Sequence, residues 1–316
     1  MNPRAEAFER LGGAYEVRVL EPSPPAVNRP PWFADDPTAR GAVPPRREVV
    51  SPVTTGDLLW DDLAGTDPAL AEWCADRWLG SLRRLERVPA GLADTRRSFH
   101  ALARRVVGPV RERANEQCGL RWIRGGFGTP YFGADAQVRV EHTTLIVQSR
   151  FRERSAPIST LADAAELIGF DLSRDEIEAA GAPLVVEPDA ARFIGDFLGF
   201  ATNVLEQLRA DVPPEYEPSR VELWPQTFNL MVEVGLEHAG RRAAFGASLG
   251  DRYHDAPYLF VTPLDVRPTG DLWRASTFSG ADLSYRELRA AADQRGCALE
   301  FLRSRVEALH HPLMPR

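Results

Sequence analysis

Val221-Glu222-Leu223-Trp224-Pro225-Gln226-Thr227-Phe228-Asn229-Leu230-Met231-Val232-Glu233-Val234 is the stretch from which the fold is read. Phe228, Leu230, Val232 and Val234 alternate with Asn229, Met231 and Glu233, the two-residue period of a strand with one buried face. Downstream, Tyr258-Leu259-Phe260-Val261-Thr262 is a second apolar run of strand length, and turn residues with a group of polar side chains lie between the two. A functional site is expected between residues 221 and 265.

Outward from this stretch, Pro188-Asp189 opens the strongest helical pattern of the chain. Phe193, Ile194, Phe197, Leu198, Ala201, Val204, Leu205 and Leu208 form one wide apolar stripe that must lie against a sheet, and Pro213-Pro214 ends it. Ser173-Arg174-Asp175-Glu176 and Ser284-Tyr285-Arg286-Glu287 are capping boxes that start further helices, and Phe301, Leu302, Val306 and Leu309 mark a last one. Residues 120–149 read as β structure, with Gly125-Gly126-Phe127-Gly128 as a turn and 137–148 as one run. Asp94 caps a helix whose Phe99, Leu102, Val106, Val107 and Val110 keep helical spacing, and Pro109 is expected to kink it near Gly108. Its other face carries Arg96, Arg97, Arg104 and Arg111, expected to be solvated, with anion binding the alternative. Strands and helices fall in blocks, which predicts an α+β fold with an antiparallel or mixed sheet backed by helices.

The N-terminal part differs. Between Glu21 and Pro52 prolines recur at 22, 24, 25, 30, 31, 37, 44, 45 and 52, which removes backbone donors and favours an irregular, extended arm. A short strand near Tyr15–Leu20 precedes it, and Asp67-Pro68 opens a helix towards Leu85. The expected division is an N-terminal extension over 1–92, with the proline-rich arm at 21–53 and a helix, followed by an α+β domain over 93–316.

Composition bounds the chemistry. A net charge of −7 argues against a nucleic-acid partner, because phosphate contacts need a basic surface. No apolar run reaches the roughly 20 residues of a membrane span, and the first twenty residues lack a signal-peptide core, so a cytoplasmic location is expected. The chain contains no lysine: all 38 basic residues are arginine. Schiff-base chemistry on a lysine and the phosphate-gripping lysine of P-loops are thereby excluded. Three isolated cysteines, Cys74, Cys118 and Cys297, give neither a disulfide framework nor a thiolate metal site.

Several motifs resemble an uncharacterised bacterial family of unknown function, which carries a W-x-x-F-[DN]-L strand, a G-F-x-P-G turn and a P-x-[FY] strand. Here these are Trp224 to Leu230, Gly246 to Gly250 and Pro257 to Pro263, with Leu249 in place of the turn proline. The resemblance implies architecture across roughly Phe99 to Leu309, and brings no activity with it.

Gly246-Ala247-Ser248-Leu249-Gly250 also spells the G-x-S-x-G nucleophile elbow, but the following Asp251 to Pro257 is poor helix, so a glycine-bounded turn is expected. Gly126, Gly128 and Gly133 fall short of a dinucleotide fingerprint, because Tyr131 occupies the third position. The histidines are spaced too irregularly for a metal signature, and no metal or cofactor is expected. The favoured site has His254 and Asp255 as the catalytic pair, since an imidazole titrates near neutral pH. Gln226, Asn229, Tyr131, Tyr258 and Trp224 contact the substrate, and Asn229 stands out as a carboxamide inside an apolar strand. These residues are expected to share a hollow under the 189–210 helix. The first expectation is an enzyme using acid–base chemistry on a small polar metabolite. The others are a non-catalytic ligand-binding or regulatory protein, and an assembly partner using the proline-rich arm. The partner expected is a small molecule, with no nucleic acid or membrane, and a homodimer is left open.

Overall fold

The computed structural model of the chain describes residues 80, 83–115, 118–130, 136–149, 152–171, 180–265 and 268–310, with three short backbone strands upstream. These are β1 (Glu16–Val19), β2 (Glu48–Val50) and β3 (Asp57–Leu59). The rest of the proline-rich arm, the helix expected from Asp67-Pro68 and the one expected at Ser173 lie outside the described residues or almost wholly so.

The fold is α+β, as the blocks of the sequence predict. A first antiparallel meander comprises β4 (Arg121–Ile123), β5 (Gly126–Gly128), β6 (Gln137–Glu141), β7 (Thr144–Ser149) and β8 (Arg152–Pro157), and β1 adds to its β8 edge. A second comprises β9 (Glu222–Trp224), β10 (Asn229–Val234), β11 (Ala243–Ser248), β12 (Tyr258–Pro263) and β13 (Ala281–Ser284). The two meet edge to edge. Leu120 and Leu223 form an antiparallel bridge in which each amide donates to the other's carbonyl, at 2.8 and 2.7 Å. Strand order runs β8-β7-β6-β5-β4 on one side of the bridge and β9-β10-β11-β12-β13 on the other, so it is symmetrical about that pair.

The helices repeat the same symmetry. Helix α1 (Leu92–Leu102) continues through a π-helical turn (Ala103–Val107) into α2 (Gly108–Asn115) and precedes the first meander, which is followed by the short α3 (Leu161–Ile168). Helix α4 (Pro188–Asp211) precedes the second meander, followed by the short α5 (Tyr285–Ala290) and by α6 (Gln294–His310). The kink expected from Pro109 takes the form of the π turn: the Gly108 amide donates to Ala103 O, five residues back, upstream of the proline that cannot donate. The capping box at Ser284 is present, with side chain and backbone bonds running both ways between Ser284 and Glu287.

Parity along the strands assigns the faces. Leu223, Leu230, Val232, Phe245, Ala247, Leu259 and Val261 stand on one face, continuous with Trp122, Phe127, Val138 and Val140 of the first meander. Helix α4 lies on this face against β4, β5, β10 and β11, and against α1 and α6 on its far side. This double cover explains why its buried set extends beyond one stripe to Phe200, Thr202, Glu206 and Arg209. The Trp122 indole N–H donates to Gly195 O at 3.0 Å, and the Glu187 amide donates to Thr95 Oγ1 at 3.0 Å, which ties the start of α4 to α1.

The structure differs from the sequence reading in local detail: of the turn expected at Gly125 to Gly128, residues 126–128 form β5 and the turn is Arg124-Gly125. Residues 137–148 are two strands, because His142 takes φ 53 in a two-residue turn. Arg111 is not on a solvated face; it is 2 % exposed and its Nη1 lies 3.3 Å from Glu222 Oε1. The chain before residue 93 also takes part in the core: Leu85 is buried, its amide donates to Gln294 Oε1 at 2.8 Å, and the Tyr285 hydroxyl donates to Glu86 O at 2.7 Å. No helix among the described residues is long and apolar enough to cross a membrane.

Helix α4 approaches the first meander so closely that a Cβ added at Gly195 would fall 2.6 Å from the Gly125 carbonyl carbon. Alanine in a helix normally gains up to about 1 kcal/mol over glycine. Here Gly195→Ala is expected to destabilise by about 1–3 kcal/mol through overpacking against backbone, measured by urea denaturation; stabilisation would contradict this contact.

Candidate functional site

The symmetry of the fold is broken at several turns, and at one end of the sheet two of the longer turns build a cleft. In the first meander the β4–β5 and β6–β7 turns have two residues each, Arg124-Gly125 and His142-Thr143. Their counterparts in the second meander, β9–β10 and β11–β12, have four and nine residues, 225–228 and 249–257. Both longer turns project from one end of the sheet, and α1 packs beside them. Between these three walls lies a cleft of about 880 Å³, lined by Arg96, Arg97 and His100 from α1, by 226–229, and by Ser248 and 250–253.

Each wall has a local cause. On α1, Thr95, Ser98, Phe99 and Leu102 face the core, which leaves Arg96, Arg97 and His100 on the flank turned to the cleft. In the β9–β10 turn Phe228 is left-handed, φ 58, a conformation costing a side chain of this size about 1–2 kcal/mol. The cost is offset by burying the ring, 3 % exposed, edge-on to Phe127 and stacked 5.7 Å from the His100 imidazole. The Gln226 carbonyl, 3.0 Å from His100 Nε2, can only accept, so that nitrogen carries the proton and donates. Helix α1 and the turn are thereby locked together.

The β11–β12 turn is organised by Asp251. Its Oδ1 accepts from the Tyr253 amide (2.7 Å), the His254 amide (2.9 Å) and His254 Nδ1 (3.0 Å), and its Oδ2 from the Tyr258 hydroxyl (2.7 Å). Partial burial pushes the Asp251 carboxyl up, but the bonds from Tyr258, Tyr253 and His254 outweigh it and hold the carboxyl below its ordinary 3.8. Burial, and then the Asp251 carboxylate, hold the Tyr258 hydroxyl protonated well above its ordinary range, so Tyr258 serves as a donor. The glycines of the G-x-S-x-G motif have packing reasons. Gly250 has φ 100, and a Cβ there would sit 2.5 Å from Arg96 Nη1; one at Gly246 would sit 2.5 Å from the Phe260 ring. No helix follows Ser248, and the nucleophile elbow is absent.

The structure therefore brings some of the expected residues together and not others. Gln226 and Asn229 line the cleft; Trp224 is the cross-strand partner of Asn229, and Tyr258 that of Ser248. His254 is not among the lining residues, and its ring lies 4.3 Å from that of Tyr258. Its carboxylate partner is Asp251, whereas Asp255 is exposed and outside the lining. Tyr131 lies outside the described residues. The hollow is at the end of the sheet beside α1, and no α4 residue lines it, which corrects the expected position. Sequence reasoning placed Arg96 and Arg97 on a face expected to be solvated, with anion binding the alternative, and missed His100 and Asp251 as site residues. The Asp251 signal was present: an aspartate after glycine, with free amides two and three residues on, is an Asx-turn pattern. Among the described residues no three His, Cys, Asp or Glu side chains are grouped as a metal ion would need.

No protein-family model, curated protein or solved structure matches the chain.

Asp251 links the site to pH. A carboxyl whose folded pKa lies below its unfolded value near 3.8 contributes stability above that value and loses it as pH falls through the folded pKa. The stability difference between the natural protein and Asp251→Asn is expected to shrink as pH falls from about 5 to about 3, measured by urea titration at each pH. A constant offset would contradict the hydrogen-bonded role.

Proposed function

We propose that this chain binds a small polar molecule in the cleft between α1 and the two lengthened turns. The observation that carries this proposal is the asymmetry between the halves. Where the first meander closes the two turns at this end of the sheet in two residues each, the second spends thirteen on the walls of a cleft. Long ordered loops on a rigid scaffold are where binding residues concentrate. The lining suits a hydrogen-bonding ligand: carboxamides at Gln226 and Asn229, hydroxyls at Thr227 and Ser248, and guanidinium groups from α1. Tyr253 is the exposed aromatic side chain of the lining, whereas the Phe228 ring is buried.

A catalytic role is the second reading, and one observation favours it. Asp251 holds His254 through Nδ1, which leaves Nε2 as the basic nitrogen, the arrangement that orients a general base. Binding without turnover is the better supported, because His254 is not among the cleft-lining residues.

The test is native mass spectrometry of the full chain after dialysis against a pool of small polar metabolites. A noncovalent mass increment in the natural protein, reduced several-fold in Asn229→Ala and in Gln226→Ala, is expected. An increment unchanged in both variants would place the ligand elsewhere, and no increment from any pool would remove the proposal.

A further inference from the structure

We infer that the cleft takes an anion, a small molecule whose carboxylate or phosphate group is gripped by Arg96. This rests on the cleft being a ligand site and adds the chemical class of what enters it.

Arg96 stands on the cleft flank of α1, half-buried. Its one hydrogen bond among the described residues runs from Nη1 to Leu249 O at 3.3 Å, which engages one of five guanidinium N–H donors. The nearby carboxylates do not take up the rest. Asp251 attracts Arg96 through space, but its two oxygens already accept from Tyr258, Tyr253 and His254, and it forms no ion pair with Arg96. Asp255 is exposed, and Asp94 pairs with Arg97. Arg252 reaches the opposite wall, its guanidinium resting 4.5 Å above the Tyr253 ring.

Burial lowers the Arg96 pKa, and the neighbouring Arg97 charge adds to this against the opposing pull of Asp251 and Asp255, so the cation has given up part of its hydration. A planar, weakly hydrated guanidinium with open donors is the geometry that takes a carboxylate or phosphate edge-on through two parallel bonds. Backbone fixes the group in place. Leu249 O holds one nitrogen, and Gly250 comes so near that any side chain there would meet Arg96 Nη1. Asn229 and Gln226 then face the polar remainder of the ligand.

The test uses the full chain and two anionic probes, inorganic phosphate and citrate, with glucose as a neutral polar probe, each titrated calorimetrically at low and high sodium chloride. Saturable binding of an anion is expected, weakened by salt and weakened about tenfold or more in Arg96→Gln, the loss of a bidentate charged pair. Arg303→Gln removes the same charge from the distant Asp211 pair and is expected to leave the affinity unchanged. A measurement on the natural sequence guards against misfolding of the variant: labelling of Arg96 by an arginine-selective dicarbonyl, read by peptide mass spectrometry, should be slowed by phosphate or citrate.

Glucose binding without anion binding would overturn the inference and leave the cleft a ligand site. Equal weakening by Arg96→Gln and Arg303→Gln, or labelling of Arg96 indifferent to both anions, would also overturn it, because either result means diffuse charge attraction.

Discussion

Two backbone hydrogen bonds between Leu120 and Leu223 join the meanders, and the rest of the arrangement depends on that junction. Each meander alone would leave a short three-residue edge strand unpaired, a liability in any sheet. Joined, they present one continuous apolar face, on which α4 lies with contacts to β4 and β5 on one side of the bridge and to β10 and β11 on the other. The helix cannot bury both sets of contacts unless the strands beneath it stay in register. Its glycine faces follow from this: Gly195 meets the Gly125 backbone and Gly199 meets the Trp122 indole, both at distances that no Cβ would tolerate without movement.

The cleft inherits this dependence, because its walls come from different halves. Helix α1 precedes the first meander, while both lengthened turns belong to the second. They are brought together through Phe99, Phe127 and Phe228, whose rings pack edge-on in sequence, and through His100, which stacks on Phe228 and donates to Gln226 O. The strained backbone at Phe228 is held by that packing. Asp251 plays the equivalent part in the other turn, gathering four donors at the base of a nine-residue loop. Guanidinium groups line one wall and carboxamides the other, where the Asp251 carboxylate is already bonded within its own loop.

How much of this was legible in the sequence differs by element. The alternation from Phe228 to Val234 and the apolar helix after Pro188 gave the sheet, its buried face and its cover, since both periodicities are written in local spacing. The β6–β7 turn escaped because His142-Thr143 carries no glycine or asparagine, and only cross-strand pairing forces His142 left-handed. The site was half legible. Gln226 and Asn229 stood out as polar residues in an apolar stretch, whereas Arg96 joins them from about 130 residues away, a distance no local pattern spans. His254 was paired with its neighbour Asp255 in sequence, while the loop's curvature gives it Asp251.

The most direct measurement of this account is native-state hydrogen exchange at the Leu120 and Leu223 amides, resolved by NMR in the full chain. If the junction holds the two meanders and the cleft as one unit, both amides exchange with the slow, common opening of the β10 and β11 amides. Rapid exchange at Leu120 and Leu223, or separate opening of the two meanders with different free energies, would contradict it and leave the cleft without its preformed walls.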